Sequence, residues 1–426
     1  MGNIKDFQKF LDSSVSAYHA TANLMELLKA DGYTRLYEHE PWDLKKGGKY
    51  YLVRGGTTLL AFRIPEITPQ GFMMSACHTD RPTFKLKENC ELRGVYTRLA
   101  TEGYGGMIIS SWMDRPLSIA GRVMVETEGG VEGKLINIDQ DLLMMPNVAI
   151  HMNRSVNDGY KWNPAVDTVP LLGGRDDADK FWPLVEKEAG GKILGHDLYL
   201  YVRQKSSVWG IDGEFISGPA LDDLACAWGT VQGFLNARDA QSVPVLCAFD
   251  DEEVGSNSPQ GAASTILEFT LERICLALKL DIHTMLAQSF LVSADNAHGL
   301  HPNHPELSDA ANAPVLGKGV VIKFNAAQRY TTDGVSAAVF RRICEKAEVP
   351  VQNYTNRPDI RGGSTLGHIS LTHVSVPTAD IGLAQLAMHS CYETAAVEDL
   401  GNLEEAMTEF FGSALMVRRD GGAAIL

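Results

Sequence analysis

Apolar residues change their spacing several times along the chain. In "NIKDFQKFLDSSVSAYHATANLMELLKADGY" they recur at helical intervals in two stretches around a serine-rich break, and the segment closes on Gly32, which predicts a pair of helices. "KYYLVRGGTTLLAFRI" predicts two short strands that turn at Gly55 and Gly56. Four short apolar runs come next, in "GFMMSACHTDRP", "VPVLCAFDDEE", "SFLVSADNAH" and "THVSVPTADIG", separated mostly by long helical patterns such as "LACAWGTVQGFLNA" and "SAAVFRRICEKAEV". Continuous apolar strands alternating with helices predict an α/β fold, with a mainly parallel sheet covered by helices on both faces. From about Glu91 to Arg203 the pattern differs: "GMIISSWMDRPLSIAGRVMVE" and "GKLINIDQDLLMMPNVAIHMN" give short alternating segments around a glycine- and charge-rich middle. The expected organisation is therefore a smaller β-rich domain, 91–203, inserted between two parts of the α/β domain, 1–90 and 204–426.

In open α/β sheets, ligands bind beyond the carboxyl ends of the strands. The first apolar run ends at His78 and Asp80, the second at the four carboxylates Asp250 to Glu253, and the third at Asp295 and His298. "DIGLAQLAMHS" delivers His389, and Asp222 and Asp223 come after "GPAL" at the start of a helix. Adjacent carboxylates repel, so bringing them to the end of a buried strand calls for a positive partner. Imidazole and carboxylate donors without thiolate suit Zn²⁺, Mn²⁺ or Co²⁺ in a water-bearing catalytic site. The donors outnumber the needs of one tetrahedral ion, so two ions sharing a bridging carboxylate is the economical arrangement, and such a pair can polarise a carbonyl.

Composition narrows the remaining classes. The 426 residues can bury a large core, and 45% hydrophobic with 21% charged residues is an ordinary globular balance. A formal charge of −15 argues against nucleic acid or an anionic membrane as partner. The seven cysteines are scattered, form no Cys-x-x-Cys pair and lie mostly in apolar runs, so they read as buried thiols. With no apolar run of membrane-spanning length and no secretory leader, a cytoplasmic protein is expected.

Seven motifs then carry a resemblance: "SACHTDRPTFKLK", "GPALDDL", "FDDEEVGSNSPQGA", "SADNAHGLHPNHPE", "KGVVIKFNAAQRYTT", "RGGSTLGHIS" and "LAMHSCYET". In this order the chain resembles the aspartyl aminopeptidase family of dinuclear zinc peptidases, and "FLDSSVSAYHA" and "EGYGGMIISSWMDRPLSIAGRV" extend the likeness over nearly the whole length. The resemblance implies that the insert is a dimerisation domain and that the chains assemble into a tetrahedral homododecamer. It implies two divalent ions per chain, zinc or alternatively manganese or cobalt. One would be held by His78, Asp222 and Asp295, the other by Asp222, Glu253 and His389, with Asp222 bridging. Glu252 matches the general base, Asp80 the carboxylate that orients His78, and His151 an insert histidine that reaches a neighbouring subunit's site. Lys323 and Tyr330 match positions that line the pocket for the substrate's first side chain. Asp251 stands where the family usually has Asn or His, and Arg81 and Thr83 where Ser and Cys are common, so Arg81 adds a second cation without an assigned place.

Other residues read as supporting. His298, His301 and His304 are interrupted by prolines, and His19, His39, His196 and His283 lie in segments without acidic partners, as surface or satisfied histidines would. "RGGSTLG" lacks the lysine of a phosphate loop and is expected to line the pocket with its backbone. The expected activity is release of N-terminal Asp or Glu from peptides. The alternatives are the same mechanism with a neutral or broad preference, and a non-catalytic assembly or cargo protein that keeps the fold.

Overall fold

The computed structural model describes residues 4–426 apart from 239, 361 and 364. Among these the strands form a nine-stranded, a six-stranded and a five-stranded sheet, with a small C-terminal hairpin. Phe72–His78, Val243–Phe249, Phe290–Ala294 and Thr378–Gly382 are buried at every position, as their unbroken apolar runs predict, and they occupy the middle of the largest sheet. Phe72–His78 pairs in parallel with Val243–Phe249 on one side and Phe290–Ala294 on the other. The antiparallel hairpin Lys49–Arg54 and Thr58–Arg63 continues the sheet beyond Val243–Phe249.

Helices cover both faces. On one, Ile4–Ser13, Ala17–Ala30, Leu221–Asn236, Gly334–Lys346 and Val397–Gly412 pack a large apolar core around Phe234, Phe290, Phe340 and Phe410. On the other, Ile266–Leu278 closes a second core around Phe62, Phe72 and Phe249. The helix starts carry the side chains that satisfy free backbone N–H groups: Ser16 accepts from His19 N, and Asp333 accepts from Ser336 N. No helix of the described residues is long and apolar enough to cross a membrane. All seven cysteines are buried free thiols.

The antiparallel six-stranded sheet runs in the order Gly130–Asn137, Leu117–Thr127, Ile193–Val202, Thr83–Leu92, Tyr96–Tyr104, Leu171–Gly174. Its strand Thr83–Leu92 follows His78 after a short turn. Its apolar side packs on the helix Phe181–Ala189 around Phe84, Trp112 and Phe181.

One packing contact leaves no slack. At Gly233 a methyl group would stand 2.5 Å from Met407 Cβ and 2.8 Å from the backbone of Met407 and Thr408, so Leu221–Asn236 and Val397–Gly412 meet backbone to backbone. Gly233→Ala is expected to force these helices apart and destabilise the protein by about 1–3 kcal/mol, the usual range for overpacking. Denaturant unfolding checks this, and an unchanged midpoint would refute the close approach.

Candidate metal centre

The parallel register places the ends of three neighbouring strands on one edge. Phe249 is paired with His78, so the chain leaving Phe249 runs beside the histidine, and Asp295 comes directly after Phe290–Ala294 on the other flank. Asp222 and Asp223 begin the helix Leu221–Asn236 beneath this edge. Donor atoms of His78, Asp222, Asp223 and Asp295 lie within 4.8 Å of one another, and so do those of Asp222, Glu253 and His389. A third such group joins His78, Glu252 and Glu253. Asp222 thus faces two donor sets: its Oδ1 is 3.5 Å from His78 Nε2, and its Oδ2 is 3.6 Å from His389 Nε2. His389 Nε2 also lies 3.3 Å from Glu253 Oε2.

Each imidazole is held from behind. His78 Nδ1 is 3.3 Å from Asp80 Oδ1 and 3.2 Å from the Asp80 carbonyl, and His389 Nδ1 is 2.8 Å from the Gly106 carbonyl. Donation from Nδ1 leaves Nε2 of both rings facing the carboxylates. Asp80 also accepts the backbone N–H groups of Glu252, at 3.2 Å, and Glu253, at 3.1 Å. Glu393, fully buried, accepts from the N–H of His389 at 2.7 Å and of Asp222 at 3.0 Å, so one carboxylate fixes two candidate ligands through their backbone. Asp251 and His389 sit at φ of 59° and 66°, a left-handed conformation that non-glycine residues adopt at a cost and that clusters at functional sites.

The electrostatics require cations. Burial pushes the Glu252 carboxyl up to about 8, with His78 opposing and Asp295, Asp80 and Asp222 adding to the rise. Burial also raises Glu253, with the Asp222 charge adding to it, and raises Asp223. Among the described residues, Asp222 Oδ1, Asp223 Oδ1 and Glu253 Oε1 are buried without a hydrogen-bond partner. Unpartnered carboxylate oxygens buried in a cluster with two imidazoles fit divalent metal, since burying them otherwise carries a large desolvation penalty.

Several expected residues lie elsewhere. His151 is exposed on a turn of the insert, where Met152 N donates to Ala149 O, and does not join these donor groups. Lys323 is fully buried at the end of Val320–Phe324; Nζ donates to the carbonyls of Asp295 at 2.6 Å and Asn296 at 3.3 Å, and lies 5.2 Å from the centre of the Tyr330 ring. Burial alone would lower its ammonium, yet the Asp295 charge beside it holds it above its ordinary value. Arg81 donates to the Ser14 carbonyl and sits in the fields of Glu393 and Asp80. Thr83 donates to the Leu200 carbonyl within the insert sheet. Asp251 takes hydroxyl hydrogen bonds from Tyr104 at 2.9 Å and Ser258 at 2.5 Å, which answers its extra charge. His301 and His304 are engaged locally with Asn303 and Glu306, and His298 stands edge-on to Tyr354. Against expectation, His196 is buried against Trp182 with Glu88 3.6 Å away, because the strand register brings an acid to it from another segment. In "RGGSTLG", residues 361 and 364 lie outside the described set; Gly362 accepts from Arg329, and Thr365 donates to the buried Asp380.

Two supporting residues, Tyr104 and Glu393, escape the sequence reading, whereas Asp223, read only as an acid beside Asp222, gains a place in the first donor group. The "EGYGG" string was a visible signal for Tyr104 as part of the resemblance, but nothing in it says which carboxylate the phenol meets.

An α/β fold with histidines and carboxylates gathered at the strand ends defines a metal-dependent hydrolase. Residues 10–411 match the family described as Aminopeptidase I zinc metalloprotease (M18). The chain belongs to this family and is a zinc-dependent aminopeptidase. It is 42% identical over 406 residues to a probable M18 family aminopeptidase 2 of Clostridium novyi (strain NT), covering 92% of this chain and 94% of that one. A protein of the same name from Pseudomonas putida (strain F1) is 39% identical over 417 residues, 95% of this chain and 97% of that one. Among solved structures, the cryo-EM structure of the Ape4 and Nbr1 complex aligns with a TM-score of 0.92 at 35% identity, over 96% of this chain and 85% of that one. The S. cerevisiae mApe1 dodecamer aligns with a TM-score of 0.84 at 26% identity, over 96% and 95%.

Zinc binding to this cluster must expel protons, because burial keeps carboxyls such as Glu252 protonated at neutral pH in the metal-free state. Calorimetric titration of zinc into metal-free protein at pH 7 is expected to show a heat that varies with buffer ionisation enthalpy. For Glu252, raised from 4.5 to about 8, the linked stability is fully present below 4.5 and lost as pH rises through 8. Metal-free protein should therefore melt lower at pH 8 than at pH 5.5, and zinc should abolish the difference; zinc uptake without proton release would mean the cluster is already ionised.

Proposed function

We propose that the chain is a dinuclear aminopeptidase that removes N-terminal Asp or Glu from peptides, working as a homododecamer in the cytoplasm. The observation that carries the acidic preference is Lys323, a charged ammonium buried beneath Asp295 and beside Tyr330. A chain of charge −15 repels an acidic side chain unless a local cation compensates, since screening confines distant charges to about 8 Å. Two of the Lys323 protons serve carbonyls, and the third, with Asp295 Oδ2 at 3.8 Å, lies beyond hydrogen-bond distance of that acid and is left for a substrate carboxylate, with the Tyr330 hydroxyl as a second donor.

In this reading His78, Asp222 and Asp295 hold one ion, and Asp222, Glu253 and His389 the other. Bound zinc supplies Lewis acidity toward the scissile carbonyl and lowers the pKa of a water. The rest falls to the chain: Glu252 takes the proton from the attacking water and passes it to the leaving amine, while Asp80 holds the His78 ring and the Glu252–Glu253 backbone. His151 serves a neighbouring copy, where an imidazole near the carbonyl oxygen would stabilise the tetrahedral oxyanion. Its exposed turn and the dodecameric state of a similar solved structure support that assignment. The buried free cysteines agree with a reducing compartment.

The same Lys323 geometry gives the neutral-preference reading its one specific support, because a lysine already donating to Asp295 and Asn296 can be holding the loop alone. Retention of Glu252 among the donor groups opposes a purely non-catalytic role.

Glu252→Gln should keep its zinc and lose about 10²–10⁴-fold in kcat, because an amide matches the shape but accepts no proton. Normal turnover in the zinc-loaded variant would remove Glu252 from the role. Peptides beginning with Asp, Glu, Asn and Leu, compared on wild type and Lys323→Met, decide the preference. Wild type should favour Asp or Glu and the variant should lose most of that bias, whereas a wild type that cleaves Leu best would establish the neutral reading.

A further inference from the structure

The insert touches the metal centre through three consecutive residues. Tyr104 closes the strand Tyr96–Tyr104, and its hydroxyl lies 2.7 Å from Asp80 Oδ2 and 2.9 Å from Asp251 Oδ1. Gly105 comes next at φ +75°, so close to the site that an added methyl would stand 3.0 Å from Glu253 Cβ and 3.2 Å from Pro82 Cα. Gly106 supplies the carbonyl 2.8 Å from His389 Nδ1, and two residues on, Ile108 N donates to the His389 carbonyl at 2.9 Å.

These contacts reach both halves of the centre. Asp80 faces His78 Nδ1 and accepts the N–H groups of Glu252 and Glu253, so its orientation sets a ligand from one donor set, a ligand from the other, and the base between them. The Gly106 carbonyl sets the tautomer of His389. Tyr104 is the side chain that fixes Asp80 from the insert, and its ring is itself fixed edge-on against Tyr199 at 5.6 Å between centroids. A phenol has a single proton to donate, so Asp80 and Asp251 compete for it, and the shorter contact, to Asp80, is the one through which the ring fixes the centre.

We infer that Tyr104 is a positioning residue for catalysis, and that the segment Tyr104–Gly106 makes the geometry of the metal centre depend on the seating of the inserted domain. The inference rests on the reading of His78, Asp222, Glu253, Asp295 and His389 as zinc ligands. The domain is then a working part of the centre as well as a surface for assembly, since a shift of its sheet moves Asp80 and His389 together.

The test uses the full-length, zinc-loaded protein. Tyr104→Phe removes one hydroxyl and keeps the ring. Outer partners of metal ligands typically matter about 10–100-fold. The variant should therefore lose about 10–100-fold in kcat with KM changed less than about threefold, and bind zinc about tenfold more weakly in competition with a chromophoric chelator. Gly105→Ala, which pushes on Glu253 by an independent route, should also weaken zinc binding. Thr97→Val, which removes a 2.8 Å hydrogen bond to Gly174 on the same strand but far from the centre, should leave both readouts unchanged. Wild-type zinc affinity and kcat in Tyr104→Phe would overturn the inference, as would equal losses in Thr97→Val, which would trace the effect to general weakening of the sheet. A wild type that binds no zinc or cleaves no peptide would instead overturn the metallopeptidase reading, and this inference with it.

Discussion

Buried carboxylates repel one another, and the active edge of this protein collects more of them than its own cations can neutralise. Asp80, Asp222, Asp223, Glu253, Asp295 and Glu393 are all buried around His78, and the protein cations beside them are Lys323 and Arg81. Such a cluster is stable only with protons or metal ions among its oxygens. The fold therefore has to hold the acids in place against their repulsion, ready for ions that remove it. Hydrogen bonds from the backbone do most of this holding: Asp80 takes two N–H groups, Glu393 two more, and His78 N donates to Asp223.

The supports come from every layer of the molecule. The central sheet sets the spacing of His78, Asp250 and Asp295 by strand register. The helix Leu221–Asn236 presents Asp222 from below, anchored by the contact of Asn296 with the Leu221 carbonyl at 2.8 Å. The insert supplies Tyr104 and the Gly106 carbonyl, and the small five-stranded sheet supplies Glu393. Because each candidate ligand is positioned by a different element, no single segment could fold into this centre alone.

The two internal cations divide the work. Lys323 lies against the Asp295 carbonyl, whereas Arg81 lies near Glu393 and the Ser14 carbonyl. Arg81 thus adds positive charge behind Asp80 and Glu393, away from Lys323. Asp251 is held by the Ser258 hydroxyl of its own loop, and its other oxygen lies 2.9 Å from the Tyr104 hydroxyl that it shares with Asp80.

The amino-acid sequence by itself determined the parallel core, since strands buried on both faces must be apolar throughout, and it marked the active edge by the histidines and acids set directly after the apolar runs. His78, Asp295 and the carboxylates Asp250 to Glu253 were legible as candidates for that local reason, Asp222 as an acid at a helix start, and the ordered motifs identified the family. The tertiary structure decided which groups stand behind them. Tyr104 meets Asp80, Glu393 meets Asp222, and the Gly106 carbonyl meets His389, across 24, 171 and 283 residues of chain. Periodicity reports whether a position is buried, not which distant donor or acceptor its polar atom will face. Those pairings are fixed only when the separate sheets pack together, which is also why the buried His196 and the interior position of Lys323 could not be read from the string of residues.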